Sequence, residues 1–173
     1  SHAPGRLLPT IRSRCRVLRF QPLSPAETDR VIRTRLPDAD NGEVDALVAL
    51  SEGSPGMALR FAGLDIAGLD AALARLAGEG DPTNAERSAL SRALATKAAQ
   101  PRFEAFLERA PAFIADLAAR RSGPALAQTI AAWEAARSLA ASAQPLALDP
   151  QAVAFELGTL VAGLAPGAPS AKG

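Results

Sequence analysis

Ser24-Pro25-Ala26-Glu27 is the stretch that indicates the fold class of this 173-residue chain. A serine followed three residues later by glutamate, with proline at the first helical position, is the pattern of a capped helix start. Apolar residues make up 48% of the chain and aromatic residues only 4%, so a core must be built largely from alanine and leucine. Because these residues favour helix, we predict an all-α fold from residue 21 onward.

Three short helices are expected to follow this start. The first should end near Leu36, because proline comes next, and two more should begin near Asn41 and at Ser54-Pro55. We predict that they form one small domain, residues 21–64.

A longer helical bundle is predicted over residues 66–165. Its first helix carries Ile66, Leu69, Leu73 and Leu76 at the spacing of one buried face. Further helices are expected to begin at Thr83 (through a capping box with Glu86), Pro101, Gly123 and Asp149. Pro111 should kink or split its helix, and residues 166–173 should be disordered. The predicted core includes Trp133 and the phenylalanines.

Residues 1–20 differ from the rest of the chain. They contain five arginines, and no acidic residue precedes Glu27. Leu7 to Cys15 can form one helical turn interrupted at Pro9, and the alternating residues Val17 to Phe20 predict one strand. Since a single strand needs partners that this sequence does not contain, we interpret residues 1–20 as the end of an α/β domain.

Composition excludes several classes of protein. The net charge is only +1, so the chain as a whole is not a polycation for nucleic acid. One cysteine, Cys15, excludes an internal disulfide and a cysteine-based zinc cluster, and His2 has no metal-binding partner. No run approaches the roughly 20 apolar residues of a membrane span. We therefore expect a cytoplasmic protein without an active site, cofactor or metal of its own.

Two segments are candidates for binding. The Arg12-Ser13-Arg14 cluster offers planar guanidinium donors suited to a phosphate on another molecule. A solvated basic segment or nonspecific contact with DNA phosphates would produce the same pattern. Gly53-Ser54-Pro55-Gly56-Met57-Ala58-Leu59 is either an anion-holding helix start or an ordinary turn between packed helices.

The first of these segments carries a family resemblance. Leu7-Leu8-Pro9-Thr10-Ile11-Arg12-Ser13-Arg14-Cys15, followed by a short strand and Pro22-Leu23-Ser24, resembles the Ser-Arg-Cys motif of bacterial clamp loaders, the AAA+ proteins of DNA polymerase III. The resemblance implies the C-terminal end of a nucleotide-binding domain (1–20), a lid domain (21–64) and a helical collar domain (66–165). The phosphate loop and zinc module of that family would lie upstream of Ser1.

The second segment indicates the kind of subunit. The ATPase subunits of this family carry a sensor arginine in a Gly-Ser-x-Arg-x-Ala-Leu pattern, and here Gly56 stands at the arginine position. This departure is similar to that of a subunit that does not hydrolyse ATP. The resemblance implies that Arg14 is an arginine finger for ATP on a neighbour, with Ser13 and Cys15 in its motif and Arg12 as possible support.

The resemblance also implies partners. These are the gamma/tau and delta subunits in a hetero-oligomer joined through the collar, and the sliding clamp and primed DNA through the assembled complex. Two alternatives stay open: a fragment of the gamma/tau ATPase subunit whose sensor has diverged, and a helical protein-interaction adaptor unrelated to replication.

Overall fold

The computed structural model describes Thr10, Arg14 and residues 20–166. Over these residues the fold is all-helical, as predicted. The elements in chain order are α1 (Pro25–Arg35), α2 (Asn41–Ser51), α3 (Pro55–Arg60), α4 (Ile66–Glu79), α5 (Ala85–Leu94), a 3₁₀ helix η1 (Lys97–Ala99), α6 (Gln100–Ala118), α7 (Gly123–Ala143) and α8 (Pro150–Ala162).

The predicted start of α1 is confirmed in detail. The hydroxyl of Ser24 accepts a hydrogen bond from the Glu27 amide at 3.3 Å. The Glu27 carboxylate in turn accepts one from the Ser24 amide at 2.8 Å. The bonds from Ser24 also hold the pKa of Glu27 below its ordinary value. The helix ends at Arg35, immediately before the predicted stop at Leu36.

The predicted capping box at Thr83 is wrong. Asn84 is the N-cap of α5, with a left-handed φ of 61° and no side-chain cap hydrogen bond. The carboxylate of Asp81, in the α4–α5 connection, instead accepts from the amides of Glu86 at 3.3 Å and Arg87 at 3.0 Å. The free amides at the start of α5 are therefore hydrogen-bonded by Asp81, which lies outside the Thr83–Glu86 capping-box pattern.

The predicted split at Pro111 is also wrong, because α6 continues through this residue. Proline cannot donate the amide hydrogen bond of a helical residue. Pro111 is buried, and α6 packs against both α7 and α8. This packing offsets the lost hydrogen bond.

Helix α8 lies at the centre of the bundle. It packs against α4, α5, α6 and α7, and its buried residues are Val153, Ala154, Leu157, Gly158, Val161 and Ala162. The core continues without a break into the first three helices, since Ile32, Val44 and Leu47 belong to the same buried cluster as Leu69 and Leu73. Helix α2 provides this connection by packing on α4.

The inward face of α7 differs in part from the predicted one. Its buried residues are Thr129, Ala136 and Ala143, spaced by seven. Trp133 is only half-buried at the edge of the core, and Ile130 is 42% exposed. By contrast, Phe103 and Phe106 on α6 are buried as predicted. The small residues of α7 allow close approach of its neighbours, which leaves its larger apolar residues at the surface.

A buried ion pair joins the α4–α5 connection to α8. The Arg87 guanidinium donates to the Asp81 carboxylate at 3.0 Å and to the Thr159 hydroxyl at 2.8 Å. It also lies 5.1 Å from the ring centroid of Phe155. The side chains of Arg87 and Asp81 are only 12% and 5% exposed. At Gly158 a β-carbon would lie 3.0 Å from Cγ of Arg87, so a glycine here makes room for the arginine.

We expect Asp81→Asn to lower the free energy of unfolding by roughly 3 kcal/mol near neutral pH, because it leaves the buried Arg87 charge uncompensated. Burial raises the pKa of Asp81, but the hydrogen bonds from Arg87 and the Glu86 amide outweigh burial and place it below its ordinary value of 3.8. A depressed pKa contributes stability above about pH 4, and this stability is lost as the pH falls through the folded-state value.

Denaturant unfolding of both proteins between about pH 7 and pH 3 checks this linkage. The difference between them should shrink below about pH 4. The matched control is Asp38→Asn, at an exposed position of the α1–α2 connection, which should unfold like the parent at every pH. A difference for Asp81→Asn that is independent of pH would contradict the prediction.

Candidate functional site

Arg14, the predicted arginine finger, lies in a turn and is exposed. Thr10 is helical and is also exposed. An exposed guanidinium is suited to contact another molecule. The other motif residues, Arg12, Ser13 and Cys15, lie outside the described residues, as do residues 17–19 of the predicted strand. Phe20, the last residue of that strand prediction, has irregular backbone and is 90% exposed.

The chain after Phe20 is held against the loop between α2 and α3. The Leu23 amide donates to the Gly53 carbonyl at 2.9 Å. The loop is itself braced by Ser51, a fully buried residue whose hydroxyl donates to the Val48 carbonyl at 2.8 Å and accepts from the Gly53 amide at 3.3 Å. The sequence does not predict this contact, because no local pattern relates positions 23 and 53.

The second candidate segment forms the start of α3. Ser54 is the N-cap but makes no side-chain cap hydrogen bond, and Pro55 occupies the first turn. A β-carbon at Gly56 would have no atom within 4 Å. Packing therefore does not require glycine at this position. The nearby Arg60 pairs instead with Glu108 at 2.8 Å.

Helix α6 is joined to the preceding part of the chain by two ion pairs that local sequence patterns do not predict. Arg102 pairs with Asp65 at 2.6 Å, and Arg109 pairs with Asp70 on α4. Seven residues separate the two arginines, which places them on one face of α6. This spacing is the signal that could have indicated a charged contact face.

A cleft of about 200 Å³ lies between the α2–α3 region and α6. Its apolar wall includes Met57, Phe61 and Ile66, and its acidic residues are Glu52, Glu108 and Asp116. Across residues 20–166, Thr10 and Arg14, no group of three histidine, cysteine or acidic residues could hold a metal ion. No helix in this part of the chain is long and apolar enough to cross a membrane.

Three large apolar side chains of α7 and of the connection that follows it are exposed or partly exposed. They are Ile130, the half-buried Trp133 and Leu146, which is 67% exposed. The guanidinium of Arg137 lies 5.0 Å from the Trp133 ring centroid. Exposed apolar side chains remain available for burial against another protein. We call this set the α7 surface.

The chain shows no significant similarity to a protein-family model, to a curated protein or to a solved structure. The resemblance to clamp loaders thus depends on the motifs at residues 7–15 and 53–59.

Gly56→Ala tests whether position 56 in α3 accepts a side chain without strain. Gly56 has space for a β-carbon and lies in a helix, so alanine should raise the free energy of unfolding by about 0.5–1 kcal/mol through the lower entropy of the unfolded chain. Thermal and denaturant unfolding measure this change. Gly63→Ala is the control: its position is equally open but has a φ of 72°, so alanine there should destabilise. Destabilisation by Gly56→Ala would contradict the prediction.

Proposed function

We propose that the chain is the lid and collar part of a non-catalytic subunit of an AAA+ clamp-loading ATPase. The observation that carries this proposal is the pairing of a retained Ser13-Arg14-Cys15 motif with glycine at position 56. A subunit that does not hydrolyse ATP needs no sensor arginine for a nucleotide of its own. It can still supply an arginine finger to ATP bound by a neighbouring subunit.

The particular subunit that best fits is delta-prime of bacterial DNA polymerase III. Its expected role is to assemble with the gamma/tau and delta subunits and to support ATP hydrolysis during loading of the sliding clamp onto primed DNA. Two observations support the proposal: the described residues form an all-helical chain, and packing around position 56 in α3 leaves space for a β-carbon, so it does not by itself require the glycine found there. The residue that bears on the alternative of a gamma/tau ATPase fragment is Gly56 itself, because that fragment would have to have lost its sensor arginine.

Arg14 is the residue proposed to act on the neighbour. During phosphoryl transfer, negative charge is spread over the oxygens of the γ-phosphoryl group, and a guanidinium supplied by another subunit stabilises that charge. The exposure of Arg14 is compatible with this use. In the second alternative, a helical adaptor unrelated to replication, Arg14 would have no required role.

Arg14→Ala in the intact subunit should lower the kcat of ATP hydrolysis at the site it serves by about 10³-fold or more in a reconstituted loader with DNA, because an arginine finger contributes about 10³- to 10⁵-fold. Arg14→Lys should recover little of this activity, since lysine keeps the charge but lacks the planar fork of donors.

The matched control is Arg35→Ala, which removes an exposed arginine from the last turn of α1. It should leave kcat unchanged. Full hydrolysis by the Arg14→Ala loader would exclude the arginine-finger role. Failure of the intact subunit to assemble with gamma/tau and delta subunits would exclude the clamp-loader proposal altogether.

The α7 surface is the proposed collar contact with neighbouring subunits. It lies within residues 66–165, and its side chains are apolar and partly exposed. Association buries such side chains, which is favourable by about 25 cal/mol per Å² of apolar surface. The isolated chain is accordingly expected to self-associate weakly through the same helix.

Ile130→Glu should weaken both self-association and assembly with loader subunits, because a charge would be buried at the contact. Sedimentation equilibrium and size-exclusion chromatography measure these two effects. The matched control is Ala135→Glu, at an exposed position of α7 on the other flank of its buried stripe. Equal association of the Ile130→Glu variant and the parent would show that this surface is not the contact.

A further inference from the structure

The cleft between the α2–α3 region and α6 has the size of one large side chain. Its volume is about 200 Å³. An engineered cavity of about 150 Å³ holds one benzene molecule, whereas sites for drug-sized ligands begin at roughly 300 Å³. The apolar wall combines the buried Phe61 and Ile66 with Met57, which is 36% exposed. The enclosed space therefore suits a single side chain of another polypeptide better than a nucleotide or a cofactor.

The charges that line the cleft are unbalanced. Its basic residue, Arg109, is already paired with Asp70 on α4. One of its acidic residues, Glu108, is paired with Arg60 at 2.8 Å. The other two acidic residues take part in no ion pair among the described residues. The lining thus presents two negative charges that the described part of the chain does not compensate.

These two residues, Glu52 and Asp116, lie at the C-terminal ends of helices. Glu52 is the C-cap of α2, and Asp116 lies in the last turn of α6. Neither helix has a basic residue in its last turn. The C-terminus of a helix carries partial negative charge, so a carboxylate there is unfavourable and a cation is favourable. A cation held in the cleft would compensate both carboxylates and both helix ends.

From the size and charge of this cleft we infer that it binds an arginine side chain of another polypeptide. The apolar stem of arginine can pack on Met57 and the buried wall, while the guanidinium stays at the exposed carboxylates of Glu52 and Asp116. The planar fork of donors on arginine can serve two carboxylates at once, which favours it over the compact charge of lysine. This site is separate from Arg14 and does not depend on its proposed role.

Met57 makes the inference directly measurable. It is the only methionine of the chain, so isotope labelling of methionine methyl groups gives one NMR signal, which reports on the cleft. The probe is the peptide acetyl-Ala-Arg-Ala-amide. We expect it to shift the Met57 signal saturably with a Kd on the order of 1 mM, because one side chain buries little surface to offset the entropy cost of association.

Two control peptides separate charge from shape. Citrulline has the shape of arginine without its charge, and the citrulline peptide should bind about 5-fold more weakly or not at all. The leucine peptide tests an apolar occupant. If either control shifts the Met57 signal with the same affinity as the arginine peptide, the inference is overturned. No shift with the arginine peptide would overturn it as well.

Substitution of the two carboxylates tests their role. Glu52→Gln combined with Asp116→Asn should weaken binding of the arginine peptide by about 5-fold or more. The matched control, Asp38→Asn combined with Glu134→Gln, makes the same change in net charge at exposed positions outside the cleft and should bind like the parent. Equal weakening in both double variants would contradict a specific site, because it would show attraction by overall charge alone.

A loss of structure is distinguishable from a loss of the site. Removing carboxylates from helix C-termini should not lower the midpoint of thermal unfolding. A further variant keeps both charges and fills the space instead: Ala112 is exposed on α6 and lines the cleft, so Ala112→Leu should weaken binding of the arginine peptide. Unchanged binding by Ala112→Leu would show that the peptide does not enter the cleft.

Discussion

The packing of α4, α5 and α8 depends on the buried ion pair between Arg87 and Asp81, which lies against α8. The Asp81 carboxylate accepts hydrogen bonds from the first amides of α5, whose own N-cap side chain makes none. The Arg87 guanidinium, which pairs with this carboxylate, also contacts Thr159 and Phe155 on α8. One arginine therefore joins a helix start, an interhelical connection and the central helix. A buried charge is stabilising only when it is fully paired, so these groups must all be present together.

The first three helices are joined to this bundle by a shared apolar core and by charges on α6. Helix α2 packs on α4, and Arg60 pairs with Glu108 across the junction. The core is stabilised by removal of apolar surface from water, whereas the exposed pair contributes little. The position of the first three helices therefore depends mainly on burial of Ile32, Val44 and Leu47.

Local patterns predicted the helices well, because capping and proline act over a few residues. Ser24 and Pro55 begin helices where the sequence indicates. The same patterns failed at Thr83, where the carboxylate of Asp81 displaced the expected box, and at Pro111, where packing outweighed a lost hydrogen bond. For the candidate site, the sequence predicted only the motifs at residues 7–15 and 53–59. It did not predict the contact of Leu23 with Gly53, because these residues lie far apart in the chain.

The sequence alone determined the helical class and most helix boundaries, because each depends on residue type or on neighbours within a few positions. The tertiary structure decided which residues of α7 are exposed, how Arg87 reaches Thr159 across 72 positions, and how the Leu23 amide meets the Gly53 carbonyl. These features depend on which backbones come close together in space, and that proximity arises only when the whole core packs.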